Sequence, residues 1–187
     1  MRLTDGKQNI LIATHEGYAI CFDENDVRPM GREAAGVRGI KLREGDYVVG
    51  AGRAGGGTAL LSVTENGYGK RTPLADHPKH GRRSQGQIAI MTSERNGELV
   101  SATLVNVEDT VLVLTNNGRM IRTTVESIRQ SGRATQGVKL METLDETVVS
   151  VTRVANEDAE DVSTDAESHG ASALAGEATV ASGELPV

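Results

Sequence analysis

The residues best suited to chemistry in this sequence are basic, and they recur in phase. Fourteen residues after each of Gly17, Gly67 and Gly118 stands a second glycine followed by arginine, giving Gly31-Arg32, Gly81-Arg82 and Gly132-Arg133. Five residues further on come Gly36, Gly86 and Gly137. Around these glycines lie Arg28, Arg32, Arg38 and Lys41, then Lys70, Arg71, Lys79, Arg82 and Arg83, then Arg119, Arg122, Arg129, Arg133 and Lys139. Ammonium and guanidinium groups spaced along one line neutralise phosphate oxygens, and backbone N–H groups at bare glycines add phosphate contacts without reading bases. Basic residues also keep strand edges soluble and unpaired. Recurrence of the Gly-Arg pair in phase favours a functional role.

Other chemistries find little support. His15, His77, His80 and His169 are scattered, and the single cysteine, Cys21, has no partner, so no metal-ligand spacing is present. His77 and His80 read as solvated loop histidines, and Cys21, in the apolar run AICF, as a small buried filler. The glycine run AGRAGGGTAL lacks the Gly-Lys-Ser/Thr of a nucleotide-binding loop and reads as a connector. No serine or aspartate is marked as a nucleophile with its base. Tyr18, Tyr47 and Tyr68 read as packing residues. With one Phe, three Tyr and no Trp, the chain is poorly equipped to stack single-stranded bases.

The formal net charge of −6 argues against a polyanion partner until the charge is located. Eight of the 26 acidic residues and none of the 20 Lys and Arg fall in residues 156–187. Residues 1–155 therefore hold 18 acids against 20 bases, a net charge of about +2. No run approaches the roughly 20 apolar residues of a membrane span, and the start has no signal-peptide character, so the sequence predicts a cytoplasmic protein.

The elements that must position the basic residues also repeat. NILIATHEGYAICF, ALLSVTENGYGKRT and TVLVLTNNGRMIRT align on Gly17, Gly67 and Gly118. Each reads as a β-hairpin, with Asn66-Gly67 and Asn117-Gly118 as strong type I′ turn signals and Glu16-Gly17 as a weaker one. Each copy closes on a strand-like run, DYVVGAG, GELVSATLV or ETVVSVTRV. Helix has support only as one short turn within residues 125–132. The expected architecture is all-β: about three four-stranded, propeller-like blades spanning 5–52, 53–105 and 106–155, followed by a disordered acidic tail over 156–187. Closed propellers use about four to eight blades, so three copies are expected to belong to a longer chain.

The strings GREAAGVRGIKL with GDYVV, NGYGKRTPL, NGRMIRTTV and GRATQGVKLM resemble the C-terminal repeats of the DNA gyrase A family, over about residues 5–155. The resemblance implies a β-pinwheel whose basic rim wraps double-stranded DNA. It implies DNA contacts from Arg32, Arg38, Lys41, Lys70, Arg71, Lys79, Arg82, Arg83, Arg119, Arg122, Arg133 and Lys139. Gly17, Gly31, Gly36, Gly67, Gly81, Gly86, Gly118, Gly132 and Gly137 would then be its structural glycines. The implied partners are the remainder of gyrase A, together with gyrase B, as an A2B2 assembly at the bacterial nucleoid. That assembly introduces negative supercoils, using ATP and magnesium at sites outside this chain; the chain itself carries no catalytic residue, cofactor or metal. Two departures stand out. The Gln-Arg-Arg, glycine-rich box typical of the first blade is represented only by a diverged counterpart, residues 80–86, so the chain resembles the last three blades. The breakage and reunion domain with its catalytic tyrosine is not in this sequence.

Two other readings compete with this one: the related C-terminal repeats of topoisomerase IV, and a propeller-like scaffold for protein partners. The eight-acid tail leaves two readings open: an internal phosphate mimic that competes with DNA for the basic rim, or a disordered end that serves solubility.

Overall fold

A computed structural model describes residues 3–55 and 58–154. The expected acidic tail lies outside the described residues. Each copy opens with a hairpin of valine-, leucine-, isoleucine- and threonine-rich strands: β1 (Asn9–Thr14) with β2 (Tyr18–Asp23), β4 (Ala59–Thr64) with β5 (Tyr68–Pro73), and β8 (Thr110–Thr115) with β9 (Met120–Thr124). Each closes with a returning strand on the far side of the hairpin's first strand: β3 (Val48–Arg53), β7 (Leu99–Val105) and β11 (Val148–Val154).

The hairpin turns differ from the expected type I′. The N–H groups of Gly17, Gly67 and Gly118 donate to the carbonyls of Thr14, Thr64 and Thr115, at 3.0, 3.1 and 3.0 Å. Only the glycines, with φ near +80°, are left-handed; Glu16, Asn66 and Asn117 are not. This is the three-residue connection in which an ordinary turn is followed by a left-handed glycine bulge. It needs one residue of positive φ, which is why Glu16 serves as well as asparagine.

The fourth strand of the first two blades is borrowed. β6 (Gln87–Ile88) belongs to the second copy but pairs with β2, giving the order β3-β1-β2-β6. β10 (Val138–Lys139) belongs to the third copy but pairs with β5, giving β7-β4-β5-β10. The third sheet, β11-β8-β9, has three strands among the described residues. The expected four-stranded blades are thus shared between neighbouring copies, and the outer strands of the first two blades come from the copies that follow them.

The returning strands face one another on the inside, and the borrowed strands form the outer margin. Between blades one and two pack Leu11, Ala13, Ala19, Leu60, Ile90 and Leu99. Leu61, Val63, Val105, Val111, Val113, Ile128 and Met141 pack between blades two and three. Branched aliphatic side chains supply this core, as strands buried on both faces require. After each hairpin the chain makes a single 3-10 turn, at Glu24–Asp26, Leu74–Asp76 and Val125–Ser127, before entering its Gly-Arg loop. Only the last of these falls where sequence suggests a turn.

Candidate nucleic-acid interface

The strand exchange carries the second and third Gly-Arg loops across to the preceding blade. The Lys79–His80 stretch runs beside β2, with the His80 N–H donating to the Cys21 carbonyl at 2.7 Å. At the next junction the Ser131 N–H donates to the Arg71 carbonyl at 3.0 Å. Successive loops also touch. The Lys41 N–H donates to the Ser84 carbonyl and the Arg83 N–H to the Gly39 carbonyl, each at 2.9 Å, and the Met91 N–H donates to the Thr135 carbonyl at 3.0 Å. The Arg82 guanidinium reaches the Arg38 carbonyl at 3.4 Å. Arg38, Lys41, Arg82 and Arg83 therefore form one basic group on the outer margin, made by two copies together.

Arg32, Arg38, Lys41 and Arg83 are exposed, Arg82 and Arg133 are half-buried, and none of the six pairs with a carboxylate among the described residues. Arg83 has φ +75°, strained for a residue with a side chain and characteristic of loops held for a purpose. Gly31, Gly81 and Gly132 have ordinary φ and open space where a Cβ would stand. The backbone does not demand glycine there; the missing side chains leave peptide groups bare beside the arginines, where another backbone or an anion can approach closely. Gly86 and Gly137 are different. Both have positive φ, and a Cβ would come within 2.5 Å of the Ala19 carbonyl oxygen or 2.7 Å of that of Gly69. They are needed for the borrowed strands to dock.

Other predicted contacts are already engaged. Lys79 pairs with Asp23 at 3.4 Å, Lys139 with Glu142 at 2.7 Å and Arg119 with Glu146 at 3.2 Å. The first two pairs are solvent-exposed and contribute little to stability, whereas Glu146 is largely buried. Arg71 spends its guanidinium on the carbonyls of Ile128, at 2.7 Å, and Glu126, at 3.2 Å, which ties blade two to the third copy. Arg122, at the same position of the third copy, is exposed on β9. Lys70 departs most from its expected role: it is 0% exposed and cannot touch a surface phosphate.

His77 is also misread by sequence, being 7% exposed rather than solvated. Burial, aided by the nearby charges of Arg133 and Lys70, pushes its pKa down to about 4, so it is neutral at physiological pH. The sequence did hold the signal, because His77 aligns with Val27 and Ile128 in the other copies. His80 is half-buried, its Nε2 in contact with Gln87 of β6. Cys21 is buried, as expected. Tyr18 and Tyr68 lie beneath the guanidiniums of Arg43 and Arg95, and Tyr47, half exposed, stacks on His15. No cluster of three metal-ligating side chains occurs among the described residues, and no helix there is long and apolar enough to cross a membrane.

An all-β array of strand-exchanging blades, with bare glycines and arginines that pair with no carboxylate among the described residues along its outer margin, defines a propeller-class repeat module with a basic rim. The model of the DNA gyrase C-terminal domain, beta-propeller, matches residues 8–54, 58–106 and 109–155, and the chain belongs to that family. The DNA gyrase A protein of Staphylococcus aureus (strain NCTC 8325 / PS 47) is 46% identical over 163 residues, covering 86% of this chain and 18% of that protein. Its counterpart in strain MRSA252 is 44% identical over 170 residues, covering 90% and 19%. The chain thus spans about a fifth of the length of these relatives. Among solved structures, a DNA gyrase A C-terminal domain aligns with TM-score 0.75 and 27% identity, over 81% of this chain and 52% of that one. The C-terminal domain of a DNA topoisomerase IV aligns with TM-score 0.77 and 29% identity, over 82% and 48%.

Proposed function

We propose that this chain is a DNA-wrapping module of DNA gyrase A, in which the outer margin holds a continuous line of duplex phosphates. The observation that carries the reading is the contact between successive Gly-Arg loops, which gathers Arg38, Lys41, Arg82 and Arg83 into one uncompensated basic group. Identities of 44–46% to gyrase A proteins favour gyrase over topoisomerase IV. In this reading the chain has no cofactor of its own. It works with the remainder of gyrase A and with gyrase B, which use ATP and magnesium, in the bacterial cytoplasm at the nucleoid.

Binding of this kind is tolerant of sequence and steeply salt-dependent, because each neutralised phosphate releases counterions. The test is duplex binding with and without residues 156–187, combined with relaxation of a plasmid by a nicking-closing enzyme in the presence of the protein. A linking-number change proportional to bound protein is expected, and Arg82→Ala with Arg83→Ala should reduce the slope of log K against log salt by about 2. Absence of duplex binding at low salt by both forms would sink the proposal. Binding without any linking-number change would leave a tethering module in place of a wrapping one.

A further inference from the structure

Lys70 sits in the seam between blades one and two, paired across the hairpin with Ser62. Its Nζ donates to the carbonyls of Gly132 and Arg133, at 2.6 and 2.5 Å, in the Gly-Arg loop contributed by the third copy. No carboxylate lies within ion-pair distance of it among the described residues. The positions aligned with Ser62 and Lys70 are Ile12 and Ile20 in the first copy and Val113 and Ile121 in the third, and both pairs face each other in register as Ser62 and Lys70 do. Thr72 and His77 are likewise buried here, and Ser62 Oγ, Thr72 Oγ1 and His77 Nε2 have no hydrogen-bond partner among the described residues.

A buried ammonium without a counter-ion costs stability, and the flanking copies show that this fold fills the same position with isoleucine. The polar corner therefore has to be explained by what it holds. What it holds is the third Gly-Arg loop, whose arginine reaches across the seam to Gln87 of β6 on blade one. We infer that Lys70 is a positioning residue that clamps the Gly132–Arg133 loop into the blade seam and so fixes how Arg133 is presented on the outer margin. Lysine suits the task because its ammonium offers three donors at the end of a stem long enough to cross the core, whereas isoleucine at this position leaves both loop carbonyls without that partner.

The consequence for phosphate contact rests on the DNA-wrapping reading; the clamp itself does not. The test uses the full chain with Lys70→Ile, which copies the first and third repeats, and Lys70→Met, which keeps the length of the stem. In the absence of DNA, amide hydrogen exchange over residues 131–135 should accelerate at least tenfold in both variants, with thermal stability kept or raised because a buried charge is gone. Duplex affinity should fall to the level of Arg133→Ala, and the double variant should bind no more weakly than either single one. Unchanged exchange over 131–135 overturns the clamp. Accelerated exchange with full affinity, where Arg133→Ala alone weakens binding, overturns the positioning role. If Arg133→Ala itself binds normally while exchange accelerates, the clamp stands and it is the phosphate reading at this loop that falls.

Discussion

The junction between the second and third copies and the outer edge of the third sheet are built from aligned residues put to different use. At the junction, Gly67 packs on the Met141 carbonyl, β5 pairs with β10, and Arg71 binds two carbonyls of the following copy. At the edge, Gly118 has open space where a Cβ would stand, β9 has no outer partner among the described residues, and Arg122 is exposed. The first copy shows the reverse face of the same arrangement. Gly36 has open space, and residues 37–38, aligned with β6 and β10, form no strand. Aligned residues thus differ in role according to whether another copy meets them among the described residues.

The largest contrast between repeats should appear under acid. His77 has a pKa of about 4 in the folded chain against an ordinary 6.5, because burial and the charges of Arg133 and Lys70 disfavour its cation. Between those values the unfolded chain binds more protons, so the contribution of the neutral imidazole is complete above about pH 6.5 and is lost as pH falls towards 4. The loss is on the order of 3 kcal/mol. Urea midpoints measured from pH 7 to pH 4 should fall more steeply for the parent chain than for His77→Ile, which copies the third repeat. Parallel pH profiles would show that His77 is not buried in solution.

Much of this fold is legible in the sequence because phase is preserved: three hairpins, three closing strands and three Gly-Arg loops can be aligned by their glycines alone. Strand exchange is not legible, since Gln87–Ile88 and Val138–Lys139 are two residues long and carry no alternating pattern. Their assignment depends on which hairpin edge they meet, which is a long-range property. For the candidate site, sequence finds the arginines but not their accessibility. Lys70 reads as one more loop cation until it is compared with Ile20 and Ile121, where a single polar residue at an apolar register position marks burial. Arg71 looks interchangeable with Arg122, and only the third copy's carbonyls separate them.

The hairpin glycines sharpen the contrast between junction and edge. Gly67→Ala imposes a positive φ of 75° on alanine and also drives a Cβ to within 2.5 Å of the Met141 carbonyl oxygen. Gly118→Ala imposes the first strain alone, at φ +83°. The first variant should lose about 3 kcal/mol and the second about 1 kcal/mol, read from denaturant midpoints at constant m. Equal losses would mean that the junction yields to the extra methyl, and that the third copy is held mainly by its apolar core.

The smallest expected effect is the most informative about the rim. Arg71→Ala removes two hydrogen bonds to carbonyls of the next copy and should cost about 1 kcal/mol, whereas Arg122→Ala should stay within about 0.5 kcal/mol. Duplex binding should order the pair the other way. Arg122 has no carboxylate partner among the described residues and is exposed, so its loss should lower the salt slope by about 1, while the loss of Arg71 should leave the slope unchanged. If Arg122→Ala changes neither stability nor slope, the side chain belongs to a junction awaiting a further blade, and the phosphate path ends at the third Gly-Arg loop.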